Sequence, residues 1–265
     1  MNKKFNRRAV LAVSFALGTT LVGLTAAHAD ALSDIKKAGT IKIGIFEDFP
    51  PFASLGADMK IAGYDTEMAE KIGAALGVKV TLVAITGQNR IPFLTEGKVD
   101  ALLSIGFNDE RAKVVDFTDP YAPYYIVVMG PSDVAVKSAA DVKGMSVAVN
   151  KGTLEDTEFT KVAPAGTDIQ RFNDYNGVIS AFLSGQVKLM VVGNDVGANI
   201  LAKNPTIKPE EKFQLLSSPS NMAVKKGEAA LQDALNGVIK QMKQDGSLNA
   251  LSQKWLKEPL PADFK

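Results

Sequence analysis

Short apolar runs of strand length alternate along this chain with amphipathic runs of helix length, and that alternation restricts the fold more than any other feature. Ile41–Ile45 alternates with period two, as a half-buried strand does. Asp65–Leu76 sets Met68, Ile72, Ala75 and Leu76 on one helical stripe, with Asp65 as its cap and Gly77 as its stop. Val78–Ile85 is apolar and rich in β-branched residues, a helix follows over about residues 91–96 before Gly97, and Val99–Leu103 is strand-like again. The second half repeats the order: strand Ser146–Val149, helix from Leu154, strand Leu189–Val192, and a helix from near Asp195. Repeated strand–helix units imply mostly parallel sheets covered by helices. An internal likeness points the same way. Phe93-Leu-Thr-Glu-Gly-Lys-Val99, a strand and Asn108-Asp109 parallel Phe182-Leu-Ser-Gly-Gln-Val187, a strand and Asn194-Asp195. Each half would then present polar groups at an equivalent strand end.

The first 29 residues stand outside this pattern. Lys3, Lys4, Arg7 and Arg8 precede the apolar run Ala9–Leu24, and Ala27-His28-Ala29 has the small-x-small form of a signal-peptidase site. The expectation is a secretory signal cut after Ala29 and a periplasmic product. Its removal takes 30 basic residues against 29 acidic ones to 26 against 29. What is left is mildly acidic and lacks a basic block, so no nucleic-acid partner is expected. It also lacks Cys and, without His28, any His. A zinc or copper site, a Cys nucleophile and a serine–histidine triad are thereby disfavoured, and no cofactor is expected. With no disulfides available, a packed core must hold the fold.

One segment carries the chemistry. Ala101–Tyr121 begins as an apolar run of a buried parallel strand, breaks at Gly106, opens a short helix and sets Arg111 one turn past the strand end. Ligands of open α/β sheets sit outside the carboxyl ends of strands. A guanidinium there offers a rigid fork of donors suited to a carboxylate, although it could instead pair with Asp109 or Asp116. Tyr121-Ala-Pro-Tyr-Tyr125 and Ser217-Ser-Pro-Ser220 read as crossovers. Crossing twice would make residues 30–120 plus 221–265 lobe one and 125–216 lobe two, with hinges near 121–125 and 217–220.

Five segments, in order, resemble the periplasmic amino-acid-binding proteins of ABC importers, solute-binding protein family 3. They are Asp48-Phe-Pro-Pro-Phe52; Gly63-Tyr-Asp-Thr-Glu-Met-Ala-Glu-Lys-Ile72; Ser104–Arg111 with Asp116–Tyr121; Val147–Thr153; and Ala223–Gly227 leading to Asp245-Gly-Ser-Leu and Lys254-Trp255. The resemblance implies an α/β, bilobal periplasmic-binding-protein fold (type II), with two mostly parallel sheets flanked by helices and joined by two hinge crossovers. It also implies a free L-amino acid as ligand, captured by hinge closure, and an inner-membrane ABC permease as partner; a monomer is expected. By similarity, Arg111 takes the ligand carboxylate, helped by backbone N–H groups around Gly106 and by Gly152-Thr153 at a helix start. Asp195 matches the position that accepts from the α-ammonium, Phe49 stacks on the ligand's aliphatic part, and Ser104 and Asn150 line the pocket. Arg90, in Gln88-Asn-Arg-Ile-Pro92, matches a pocket-wall position and suits a second carboxylate or an amide; its alternative is to point to solvent. Trp255 reads as a packing anchor. Two other functions remain open on this scaffold. One is a cyclohexadienyl-dehydratase-like enzyme using Asp195 or Glu155 as general acid, and the other is a ligand-sensing domain working with a membrane partner.

Overall fold

The computed structural model describes residues 30–264 except residue 57; the expected signal segment and its cut after Ala29 lie outside the described residues. Two five-stranded sheets dominate. In the first, Lys79–Ala84, Thr40–Ile45, Ala101–Ile105, Ser220–Lys225 and Val115–Ala122 lie in that order. In the second the order is Asp168–Phe172, Ser146–Asn150, Leu189–Gly193, Tyr125–Gly130 and Glu210–Ser217. The central strands, Ala101–Ile105 and Leu189–Gly193, are buried along their whole length, as strands covered by helices on both faces must be.

One strand in each sheet runs against its neighbours: Ser220–Lys225 in the first and Tyr125–Gly130 in the second. Each is the strand that has just arrived from the other sheet. The chain leaves the first sheet at Ala122, enters the second at Tyr125, leaves it at Ser217 and returns at Ser220. Two connections of two residues each, both containing proline (Pro123 and Pro219), therefore join the sheets. We call the first sheet and its helices lobe one, and the second lobe two. A small three-stranded sheet, Asp48–Phe49, Ala53–Leu55 and Ile61–Ala62, extends lobe one toward lobe two.

Helix Tyr64–Leu76 buries Met68, Ala69 and Ile72 and ends at Gly77 in the left-handed conformation. Its N-cap is Gly63, not Asp65. The Asp65 side chain is instead turned into lobe one, 1% exposed, where it accepts from Tyr121 Oη and Ser104 Oγ at 2.6 Å each. Burial pushes its carboxyl up to about 6. Lobe one is completed by helix Ala229–Gln244, which buries Leu231, Leu235, Val238, Ile239 and Met242. Helix Ser247–Trp255 follows, its Trp255 half-buried against the core with Nε1 donating to Glu67 at 3.0 Å.

Candidate functional site between the lobes

Arg90 opens helix Arg90–Thr95 and is 3% exposed, so it does not point to solvent. Its Nη1 donates to the Ser104 carbonyl at 3.2 Å, its guanidinium lies 5.4 Å from the centre of the Phe46 ring, and its Nε has no partner among the described residues. Arg111 sits in the short helix Asp109–Ala112, which is capped by the Asn108 side chain accepting from the Arg111 N–H at 2.8 Å. That cap fixes the direction of the side chain. Nη1 donates to the Gly106 carbonyl at 2.8 Å, and Nη2 lies 3.4 Å from the Gly152 carbonyl across the cleft. Burial, and then the nearby Arg90 cation, hold Arg111 down at about 9, so it still carries its charge at neutral pH. Neither guanidinium is paired with a carboxylate in a salt bridge among the described residues. Asp116 pairs with Lys226 instead, at 2.6 Å.

Lobe two brings the opposite charge. Glu155 lies in the first turn of helix Leu154–Val162 and is 3% exposed. Its Oε1 accepts from Tyr124 Oη at 2.7 Å and from Tyr175 Oη at 3.1 Å. Its charge opposes the downward shift of both arginines, which places it within electrostatic reach of each. Tyr124 comes from the first crossover, and Tyr175 opens helix Tyr175–Leu183.

Phe49, Arg90, Ser104 and Gly106 line one enclosed space with Tyr124, Glu155 and Tyr175. Of the residues implied by the resemblance, the structure thus brings four together, with Arg111 bonded to the carbonyl of one of them. Two of the four differ in detail from the expectation. Phe49 stacks on Phe52 at 4.9 Å and on Tyr175 at 4.6 Å, so aromatic neighbours occupy its faces in this arrangement. Ser104 reaches the site through its backbone: φ is +47° and its hydroxyl is bonded to Asp65.

Asn150 and Thr153 are buried beside the cleft but do not line it. Thr153 holds the N-cap position without capping, because its Oγ1 donates back to the Asn150 carbonyl at 2.7 Å. The Asn150 amide has no partner for either polar atom among the described residues.

Asp195 does not line this enclosed space. The first residue of helix Asn194–Ala202 is Asn194, whose Oδ1 accepts from the Tyr125 N–H at 3.1 Å. One residue on, about 100° around the helix, Asp195 faces a second cavity of about 460 Å³ behind the crossovers, shared with Tyr125, Glu258 and Phe264. Tyr124 lines both spaces and divides them. Asp195 Oδ2 is buried without a partner among the described residues, and burial, with the Glu258 charge adding to it, raises the carboxyl to about 7.

Backbones of the two lobes nearly touch at the rim. A Cβ placed on Gly87 would lie 2.4 Å from the Lys151 carbonyl oxygen, and one on Gly106 would lie 2.6 Å from both Leu154 Cδ2 and Ser218 Oγ. The space between is about 20 Å³, room for roughly one water. Anything larger enters only when the lobes part.

A two-sheet, twice-crossed α/β protein with a charged cleft between its lobes is a bilobal binding fold of type II. Residues 41–258 match the model of bacterial extracellular solute-binding proteins, family 3, and the chain belongs to that family. It is similar to the L-cystine-binding protein TcyJ of Escherichia coli (strain K12), 27% identical over 249 residues that cover 93% of this chain and 92% of the relative. Among solved structures, a variant of ArgBP from T. maritima superposes with a TM-score of 0.80 at 31% identity, covering 86% of this chain and all of that one. An ancestral amino acid-binding protein described as a precursor of cyclohexadienyl dehydratase superposes at 0.78 with 30% identity, covering 85% and 99%.

Proposed function

We propose that the protein captures a free amino acid in the periplasm by closing its lobes, and delivers it as a monomer to the inner-membrane permease of an ABC importer. One observation carries this reading: the Arg90 guanidinium and the Glu155 carboxylate line a single enclosed space between two lobes joined by two short connections, and Arg111 donates to the Gly106 carbonyl in its wall. A zwitterion buried with either charge unpaired is costly, so a site for it needs both signs. Arg111 takes the α-carboxylate and Glu155 the α-ammonium, the role the resemblance gave to Asp195. Arg90 then has no carboxylate of its own among the described residues, and suits a ligand bearing a second carboxylate or a side-chain amide. The names of the relatives, an L-cystine-binding protein and amino acid-binding structures, support the ligand class.

The catalytic alternative finds less support. A general acid must hold a proton for the reacting group, whereas Glu155 Oε1 is already the acceptor of two tyrosine hydroxyls. A thermal-shift screen against the common L-amino acids and L-cystine tests the reading, since a ligand that binds only the folded state raises the melting temperature. Arg111→Ala should fold normally and lose that shift for every amino acid. A variant binding as tightly as wild type by calorimetry would overturn the site.

A further inference from the structure

Asp48 belongs to the small sheet of lobe one, yet its carboxylate finds its partners in lobe two. Oδ2 accepts from the backbone N–H of Tyr175 and from that of Asn176 at 3.1 Å. These are the first two residues of the nine-residue helix Tyr175–Leu183. The N–H of its third residue, Gly177, is taken at 2.7 Å by the helix's own cap, Asp174. The free donors of one helix end are therefore divided between its own cap and a side chain from the opposite lobe. Donors in one lobe and an acceptor in the other meet only on closure; parted lobes leave both to water.

The helix end held in this way carries the ligand-facing wall. Tyr175 places its ring 4.6 Å from Phe49 and 5.6 Å from Phe46, and its hydroxyl reaches Glu155. We propose that Asp48 is a positioning residue: by seating the amino end of helix Tyr175–Leu183 on lobe one it sets Tyr175, and through it Glu155, against the captured amino acid and slows release. This rests on the cleft being the ligand site. Acceptance of two N–H groups, more than negative charge, is what the contact needs. Burial pushes the Asp48 carboxyl up, the N–H groups of Asn176 and Tyr175 pull it down, and the neighbouring Asp174 carboxylate pushes it up again. A neutral acceptor of the same shape should therefore serve as well.

The probe is whichever of the common L-amino acids and L-cystine wild type holds most tightly. In stopped-flow fluorescence, Asp48→Ala should release it about tenfold faster, the effect of losing a doubly bonded, half-buried acceptor, with the association rate unchanged. Asp48→Asn should release it at close to the wild-type rate. Melting of the ligand-free protein should be unchanged in both, which a merely structural role would not permit. Release from Asp48→Ala at the wild-type rate, or release from Asp48→Asn as fast as from Asp48→Ala, would overturn the positioning role and leave the cleft assignment standing. Wild type that binds none of the panel would overturn the cleft assignment and this inference with it.

Discussion

Glu155 and Asp195 are two carboxylates of the same lobe, Glu155 bonded to the Tyr124 hydroxyl and Asp195 in the neighbouring cavity that Tyr124 also lines, and they live under opposite electrostatics. Glu155 faces two guanidiniums and accepts from two tyrosine hydroxyls. Asp195 faces Glu258, has an oxygen with no partner among the described residues, and is raised to about 7. Burial alone penalises both; what separates them is the company each keeps. A carboxylate embedded among matched donors and cations can answer a ligand's ammonium, whereas one buried next to another acid weakens the fold that holds it.

The contrast breaks most sharply at Glu155. Replacing it by Ala strands two buried hydroxyls and removes a carboxylate that lines the cleft, and amino-acid affinity should fall about 100-fold by calorimetry. Asp195→Ala giving a loss of that size while Glu155→Ala binds normally would reverse the comparison. Arg90→Leu comes next. Affinity for L-glutamate should drop about tenfold or more, and that for L-alanine should change little; equal losses for both would remove Arg90 from side-chain recognition. The smallest effect belongs to Asp195→Asn, which should spare binding and alter only stability. Because the folded carboxyl sits at about 7 against an ordinary 3.8, the folded state binds the proton more tightly, and stability falls as pH rises from about 4 through 7. At pH 8 the ionised group carries its full penalty. Asp195→Asn should then be more stable than wild type by about 1–2 kcal/mol in urea melts, with the gain vanishing near pH 4. A variant less stable at pH 8 would show that a partner for Asp195 had been overlooked.

Lobe one's half of the site was largely legible from its residues. Arg111 lies one turn past an apolar strand, and Gly106 lies at the break between them. Both are local placements relative to a strand end, and a central parallel strand delivers its carboxyl end to the crevice wherever the rest of the fold goes. Arg90 required the family resemblance, because nothing near it in sequence distinguishes a pocket wall from a solvent-facing helix start. Lobe two was less legible, for a different reason. The helix near Asp195 was legible, but its exact start was not, and one residue of helical phase decides which side chain turns toward which space. Glu155 gave little sign either, since a glutamate in the first turn of a helix is ordinary. Tyr124 read only as part of a crossover, and nothing in the pattern singled out Tyr175.

By itself the sequence determined the α/β alternation, the absence of Cys and the guanidinium beyond the central strand of lobe one. These follow from periodicity, composition and short-range geometry, which a chain carries wherever it folds. Only the tertiary structure decided that Glu155 rather than Asp195 faces that guanidinium, that Tyr124 divides one cavity from another, and that Asp48 reaches across to the amino end of a helix in the other lobe. Each of those depends on how helices and lobes dock after they form, through contacts between residues 31 to 128 positions apart, and no local pattern encodes such a meeting.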